Sequence, residues 1–177
     1  MSDPIQALIE KCEGAYAPKT LSCYRRDLIE FRNFCEERGL SWYPADGETV
    51  ALWIDEACGD FVKTTVRRKM GAVRFLHVMN NSENPTTTAE VKLAYRRVMR
   101  KNRRQPKRAA PITPAMLERL LETCGDDLEG RRDRALMLVA HESLARSGEI
   151  VAIQLGDVFL EDKPAKLLIP RSKADIE

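Results

Sequence analysis

Histidine is nearly missing from this 177-residue chain, with two in all, and its five cysteines are an odd number that contains no CxxC pair. Those shortages argue against the usual zinc ligand sets and against an even disulfide framework. No metal and no cofactor is expected, and Cys12, Cys23, Cys35, Cys58 and Cys124 are read mostly as reduced thiols buried on helices. No stretch approaches the ~20 consecutive apolar residues of a membrane span, and Met1-Ser2-Asp3-Pro4 lacks the basic start and apolar run of a secretory signal. No membrane partner is expected, and the location is read as cytoplasmic. Aromatic residues make up only 6%, and neither sign of charge dominates, the net being +2.

What is present is an ordinary apolar fraction of 44%, enough for one compact domain or two small ones, and an uneven distribution of charge. From Lys92 to Arg108 there are nine Lys or Arg residues and no acid. Acidic residues gather instead in 30–56 and 118–129. A basic run of this kind is ordinarily a solvated helix face, and it is also what a polyanion requires.

The periodicity predicts helices almost throughout. Asp3-Pro4 ahead of Ile5, Leu8, Ile9 and Cys12 is a cap followed by a first-turn proline, with Gly14 as the stop. Leu21, Tyr24, Leu28, Phe31 and Phe34 recur at three- and four-residue steps up to Gly39. Val50, Trp53, Ile54 and Ala57 mark a third helix, and Val66, Met70, Val73, Leu76 and Met79 a fourth. Asn84-Pro85-Thr86 reads as a turn, and Thr87 with Glu90 has capping-box spacing for a fifth helix through Val91, Ala94, Tyr95 and Val98.

Residues 102–112 carry two prolines, many charges and no apolar period, so the chain is divided into 1–105, a basic linker 106–112, and 113–177. Beyond the linker, Thr113-Pro114 opens a helix with Leu117, Leu120 and Leu121 on its buried stripe. A longer helix runs from about Arg131 to a break near Leu144, and a short one carries Glu149, Ile150 and Ile153. Lys166-Leu167-Leu168-Ile169-Pro170 reads as a strand whose partner is missing, with Arg171 to Asp175 as the turn after it.

Several ordered features together resemble the tyrosine recombinase (phage integrase) family. They are Pro18-Lys19-Thr20 with Tyr24, Asp27 and Phe31; Lys63-Thr64-Thr65-Val66 through Gly71 to Phe75-Leu76-His77 and Asn84-Pro85-Thr86; and the basic entry Lys107-Arg108-Ala109-Ala110-Pro111-Ile112-Thr113. Most specific is Arg132-Asp133-Arg134-Ala135-Leu136 leading to Leu144-Ala145-Arg146-Ser147-Gly148-Glu149-Ile150, similar to the box that holds the family's first catalytic arginine. Ser143-Leu144 stands where Thr-Gly is usual, and Gly148 where alanine or serine is commoner, so a local backbone difference is expected. Ser172-Lys173-Ala174-Asp175 resembles the hairpin turn of the catalytic lysine.

The resemblance implies a mainly α fold, with a helical core-binding (SAM-like) bundle linked to a truncated α+β catalytic domain. It implies site-specific recombination through a 3′-phosphotyrosyl intermediate on double-stranded DNA, without ATP, and self-association of the intact enzyme into a tetrameric synapse. The catalytic candidates are Arg146, Glu149 and Lys173. Arginine suits the phosphoryl transition state because its planar fork stays charged and binds two oxygens at once. Glu149, three residues on, would share its helical face and hold it, and Lys173 would protonate the leaving 5′ oxygen.

The DNA-binding candidates are Lys19, Ser22 and Arg26 on the second helix, Lys63, Thr64, Arg67, Arg68, Lys69 and Arg74 on the fourth, and Arg103, Arg104, Lys107 and Arg108 in the linker. None of Tyr16, Tyr24, Tyr43 and Tyr95 matches the family's nucleophile, so the chain is expected to stop short of it and to be inactive alone. His77 and His141 are assigned structural or solvated roles. Two other readings stay open: a non-enzymatic DNA-binding regulator, and an all-helical protein-interaction module.

Overall fold

The computed structural model describes residues 3–101 and 109–169, and the chain divides into two compact units, Met1–Lys107 and Arg108–Glu177. Both are mainly helical. In the first unit α1 spans Pro4–Lys11, α2 Pro18–Glu36, α3 Gly47–Ala57, α4 Lys63–Met79 and α5 Ala89–Lys101.

Local chemistry sets these boundaries. The Asp3 carboxylate accepts the Ile5 N–H at 3.1 Å, and Asp46 accepts the Thr49 N–H at 2.7 Å, each satisfying a donor that a helix start leaves open. The Thr49 bonds also hold the Asp46 carboxyl below its ordinary pKa. Thr88, not Thr87, caps α5, accepting the Val91 N–H at 3.5 Å. Thr87 turns its hydroxyl to the Asn84 carbonyl at 3.0 Å instead. Gly47 permits the start of α3 to lie against that cap, since a Cβ there would sit 2.4 Å from Thr88 Oγ1.

Two apolar clusters fill the unit. One joins Phe31, Trp53, Ile54, Val66, Val73, Val91, Ala94 and Val98 from α2, α3, α4 and α5. The other joins Ile5, Leu8, Leu21, Leu28, Ala72 and Leu76 from α1, α2 and α4. Helices α2 and α4 contribute to both, so they form the shared wall of the unit. Burial of each large apolar side chain stabilises the fold by about 1.5–3 kcal/mol. His77 lies wholly inside, accepting the Ala45 N–H on Nε2 at 2.9 Å and donating from Nδ1 to the Val73 carbonyl at 2.8 Å.

The second unit contains α6 (Pro114–Glu122), α7 (Leu128–Ser143) and α8 (Ser147–Ile150). Thr113 caps α6 through the Met116 N–H, and Asp127 caps α7 through the Gly130 N–H at 2.8 Å. The intervening turn needs glycine at 130, where a Cβ would lie 2.0 Å from the Gly125 carbonyl oxygen. Arg134 ties α7 back to this turn, donating to the Cys124 carbonyl at 2.7 Å and to Asp126 at 3.0 Å.

The strand read at 166–170 is shorter than expected and it does have a partner. Strands β1 (Val158–Phe159) and β2 (Lys166–Leu167) pair antiparallel, with Val158 opposite Leu167 and Phe159 opposite Lys166. Among the described residues, this unit buries Leu117 and Ile150 but leaves Leu128, Leu144, Leu155 and Leu160 largely exposed.

Candidate nucleic-acid interface and catalytic arginine

Contacts between α2 and α4 fix which side chains stand on the surface. Tyr24 lies beside Gly71, and Arg68 donates to Asp27. The residue numbers rise on one helix as they fall on the other, so the pair is antiparallel. Lys19, Ser22 and Arg26 are exposed on α2 at i, i+3 and i+7, one stripe of a 3.6-residue helix. On α4, Lys63, Thr64, Arg67 and Arg74 are exposed, and the helix contains no acid from Lys63 to Met79. Side chains of this kind suit phosphate contacts and, where a fork reaches a base edge, sequence reading.

Lys69 does not belong to that surface. It is 2% exposed, with Nζ bonded to Glu30 and 4.0 Å from Asp27 Oδ1. The rings of Phe61 and Trp53 lie 4.7 Å and 5.6 Å from its ammonium. The physical reason is position: Lys69 falls three residues after Val66 and four before Val73, on the apolar stripe, where only pairing and ring faces make a buried charge tolerable. Asp27 is itself 1% exposed, and its Oδ1 has no hydrogen-bond partner among the described residues. Arg68 is half-buried and engaged by Asp27, so its fork is already partly committed.

Sequence reasoning picks out the basic outer face of α5 without naming its residues. Lys92, Arg96 and Arg100 are exposed at four-residue steps, while Arg97 is drawn aside to Asp55 of α3, with Nε 3.2 Å from Oδ1. Arg103, Arg104, Lys107 and Arg108 lie outside the described residues, as does Lys173.

In the second unit, Arg146 precedes α8 as its cap residue and is not within the helix, so the shared helical face expected for Arg146 and Glu149 is replaced by a closer relationship. Glu149 Oε2 accepts the Arg146 backbone N–H at 2.8 Å, and Oε1 takes its guanidinium Nη1 at 2.6 Å. The Glu149 side chain is only 11% exposed while that of Arg146 remains 65% exposed. One acid therefore fixes both the backbone and the head group of a cation that still faces outward.

The preceding turn explains how Ser143-Leu144 is accommodated. Leu144 takes a left-handed conformation, φ 52°, the region glycine enters without penalty. Ser143 Oγ accepts the Ala145 N–H at 3.2 Å.

His141 is half-buried beside Glu142, and His77 is committed to the core. Tyr16 and Tyr24 pack on Phe75 at 5.3 Å and 5.0 Å between ring centroids, and the Tyr43 and Ser82 hydroxyls share a 2.8 Å hydrogen bond. Among the described residues, no cluster of three or more His, Cys, Asp or Glu is arranged to hold a metal, and no helix is long and apolar enough to cross a membrane.

Residues 8–84 match the family described as phage integrase, N-terminal SAM-like domain. An integrase/recombinase xerD homolog of Selenomonas ruminantium is 26% identical over 169 residues, covering 93% of this chain and 50% of that protein. A tyrosine recombinase XerD of Rickettsia conorii is 28% identical over 159 residues, 87% of this chain and 49% of its own length. A tyrosine recombinase XerC of Herpetosiphon aurantiacus is 31% identical over 157 residues, 84% of this chain and 48% of its own. The chain thus spans about half the length of the curated relatives it matches.

Proposed function

Because the chain belongs to the tyrosine recombinase family, we propose that it grips duplex DNA through α2 and α4 and supplies the first catalytic arginine of a site-specific recombinase. The observation that carries this reading is the antiparallel α2–α4 pair, which turns Lys19, Ser22, Arg26, Lys63, Thr64, Arg67 and Arg74 outward with no acid on α4. Arg103, Arg104, Lys107 and Arg108 would add further contacts to the DNA backbone.

In the reaction implied, a tyrosine hydroxyl attacks the phosphodiester, the 5′ oxygen leaves, and the 3′-phosphotyrosyl bond is later opened by a 5′ hydroxyl. Negative charge grows on the non-bridging oxygens during each step. Arg146 meets that charge, held by Glu149 so that little reorganisation is needed as it develops. Lys173 gives the proton to the departing oxygen.

The described tyrosines all lie in the first unit, away from Arg146 in sequence, so in this reading the 177 residues bind DNA without cutting it. The exposed Leu144, Leu155 and Leu160 of the second unit support its being part of a larger catalytic domain. Tetrameric assembly on two sites belongs to that larger protein.

The test is fluorescence-anisotropy titration of a short duplex at several salt concentrations, with single-stranded DNA and an Arg67→Ala/Arg74→Ala double variant beside it. Duplex-preferring binding whose log–log salt slope drops by about 2 in the double variant is the expected result. Binding indifferent to duplex DNA, or absent at low salt, would sink this reading and leave the helical interaction module.

A further inference from the structure

Glycine is the least favourable helix-interior residue after proline, yet Gly71 stands in the middle of the 17-residue α4. The fold does not require it. A Cβ at Gly71 would meet only the Tyr24 hydroxyl at 3.7 Å, an ordinary van der Waals distance, whereas at Gly47 and Gly130 it would collide with Thr88 and with the Gly125 backbone. Packing within the unit therefore does not account for a glycine at this position.

Gly71 lies on the stripe of Thr64, Arg67, Arg74 and Val78, at steps of three and four, near the middle of the outward face of α4. Next to it is a cleft of about 220 Å³ lined by Tyr16, Tyr24, Gly71, Arg74, Phe75 and Val78. Cations flank this gap and no acid occurs on the helix, so its electrostatic complement is a polyanion.

Resting on the DNA-binding reading above, we infer that Gly71 is the point of closest approach between α4 and the duplex. Its missing side chain admits the groove wall to van der Waals distance, and Arg67 and Arg74 are thereby set at the depth where their forks reach phosphates and base edges. The gap it leaves comes at the expense of helix stability. It is a positioning residue for the interface.

Stability and affinity should therefore move in opposite directions. In the full chain, Gly71→Ala should melt roughly 4–8 °C higher, the scale on which a domain of this size responds to losing a helix-interior glycine. Its duplex affinity should nonetheless fall several-fold. Gly71→Leu should lower affinity by about tenfold or more, the scale of giving up one close base-edge interaction, and the salt slope should stay unchanged because no charge is altered.

If wild type binds duplex in an Arg67- and Arg74-dependent way while Gly71→Ala binds equally well, the close-approach inference fails and the DNA-binding reading stands. A lower melting temperature for Gly71→Ala would show that the fold needs the glycine, which overturns the inference too. No duplex binding by wild type would remove both together.

Discussion

His77 Nε2 accepts the Ala45 N–H at 2.9 Å while its Nδ1–H donates to the Val73 carbonyl at 2.8 Å, so the buried imidazole is fixed as one neutral tautomer. A second proton would break the Ala45 bond and place a charge in the core, and burial holds the pKa below its ordinary 6.5. The unfolded chain then takes up this proton more readily than the folded one. The contribution is complete above the ordinary value and is lost as the pH falls from there through the folded pKa. Urea unfolding of wild type should need less denaturant at about pH 5 than at about pH 7.5, and His77→Gln should flatten that dependence; equal slopes would mean another group titrates.

Arg146 and Glu149 act as a unit. In a longer chain that carries the whole active site, Arg146→Ala should reduce strand cleavage by about 10²–10³-fold and leave duplex binding nearly unchanged. Glu149→Gln should cost less, because the amide oxygen can still accept the Arg146 N–H while the ion pair is removed. A gel assay of covalent DNA adducts beside a binding titration separates the two effects, and parallel loss of both would show that Arg146 serves the grip.

Lys69 and Arg67 are two residues apart and should behave oppositely. Lys69→Ala removes the cation that faces Asp27 and Glu30, and it should destabilise the first unit by about 1–3 kcal/mol while leaving the salt slope of binding intact. Arg67→Ala should leave thermal stability within about 0.5 kcal/mol and lower that slope by about 1. Denaturation and anisotropy on both variants decide the matter. A reduced slope for Lys69→Ala would return it to the interface.

Leu144 is held at φ 52° and is 87% exposed. A non-glycine residue in this region is strained by roughly 1–2 kcal/mol, and glycine relieves that strain while adding some freedom to the unfolded chain. Leu144→Gly should on balance stabilise the second unit by about 1 kcal/mol, seen as slower amide hydrogen exchange over α7 and α8. Unchanged exchange would show that the turn carries no strain.

The long helices are legible in the sequence because their apolar residues recur at helical steps over many turns, as Leu21, Leu28 and Phe31 do on α2. The burial of Lys69 is legible by the same rule, since its step from Val66 and to Val73 is that of a core position, although its charge draws attention from its place. Its partners are not, because Asp27 and Glu30 meet α4 only once the antiparallel register is known. Three consecutive threonines, Thr86 to Thr88, can each cap a helix, and only the turn at Asn84 decides among them. The β1 strand is two residues long, too short for any alternation to show, so the sequence reveals β2 without its partner. Arg146 and Glu149 stand out through family resemblance, whereas the bond from the Arg146 backbone to Glu149 depends on Arg146 preceding the helix, which spacing alone does not reveal.

The thiols have a practical consequence. Burial pushes Cys35 up to about 11 and Cys58 to about 12, and Cys12 is enclosed as well, while Cys23 on α2 and Cys124 after α6 are only half-buried. Maleimide chemistry acts on accessible thiolate, so the unaltered chain offers one addressable position in each compact unit. A donor and acceptor dye placed there would convert the separation of the two units into an optical distance, and adding duplex to the cuvette would show directly whether the protein closes around it.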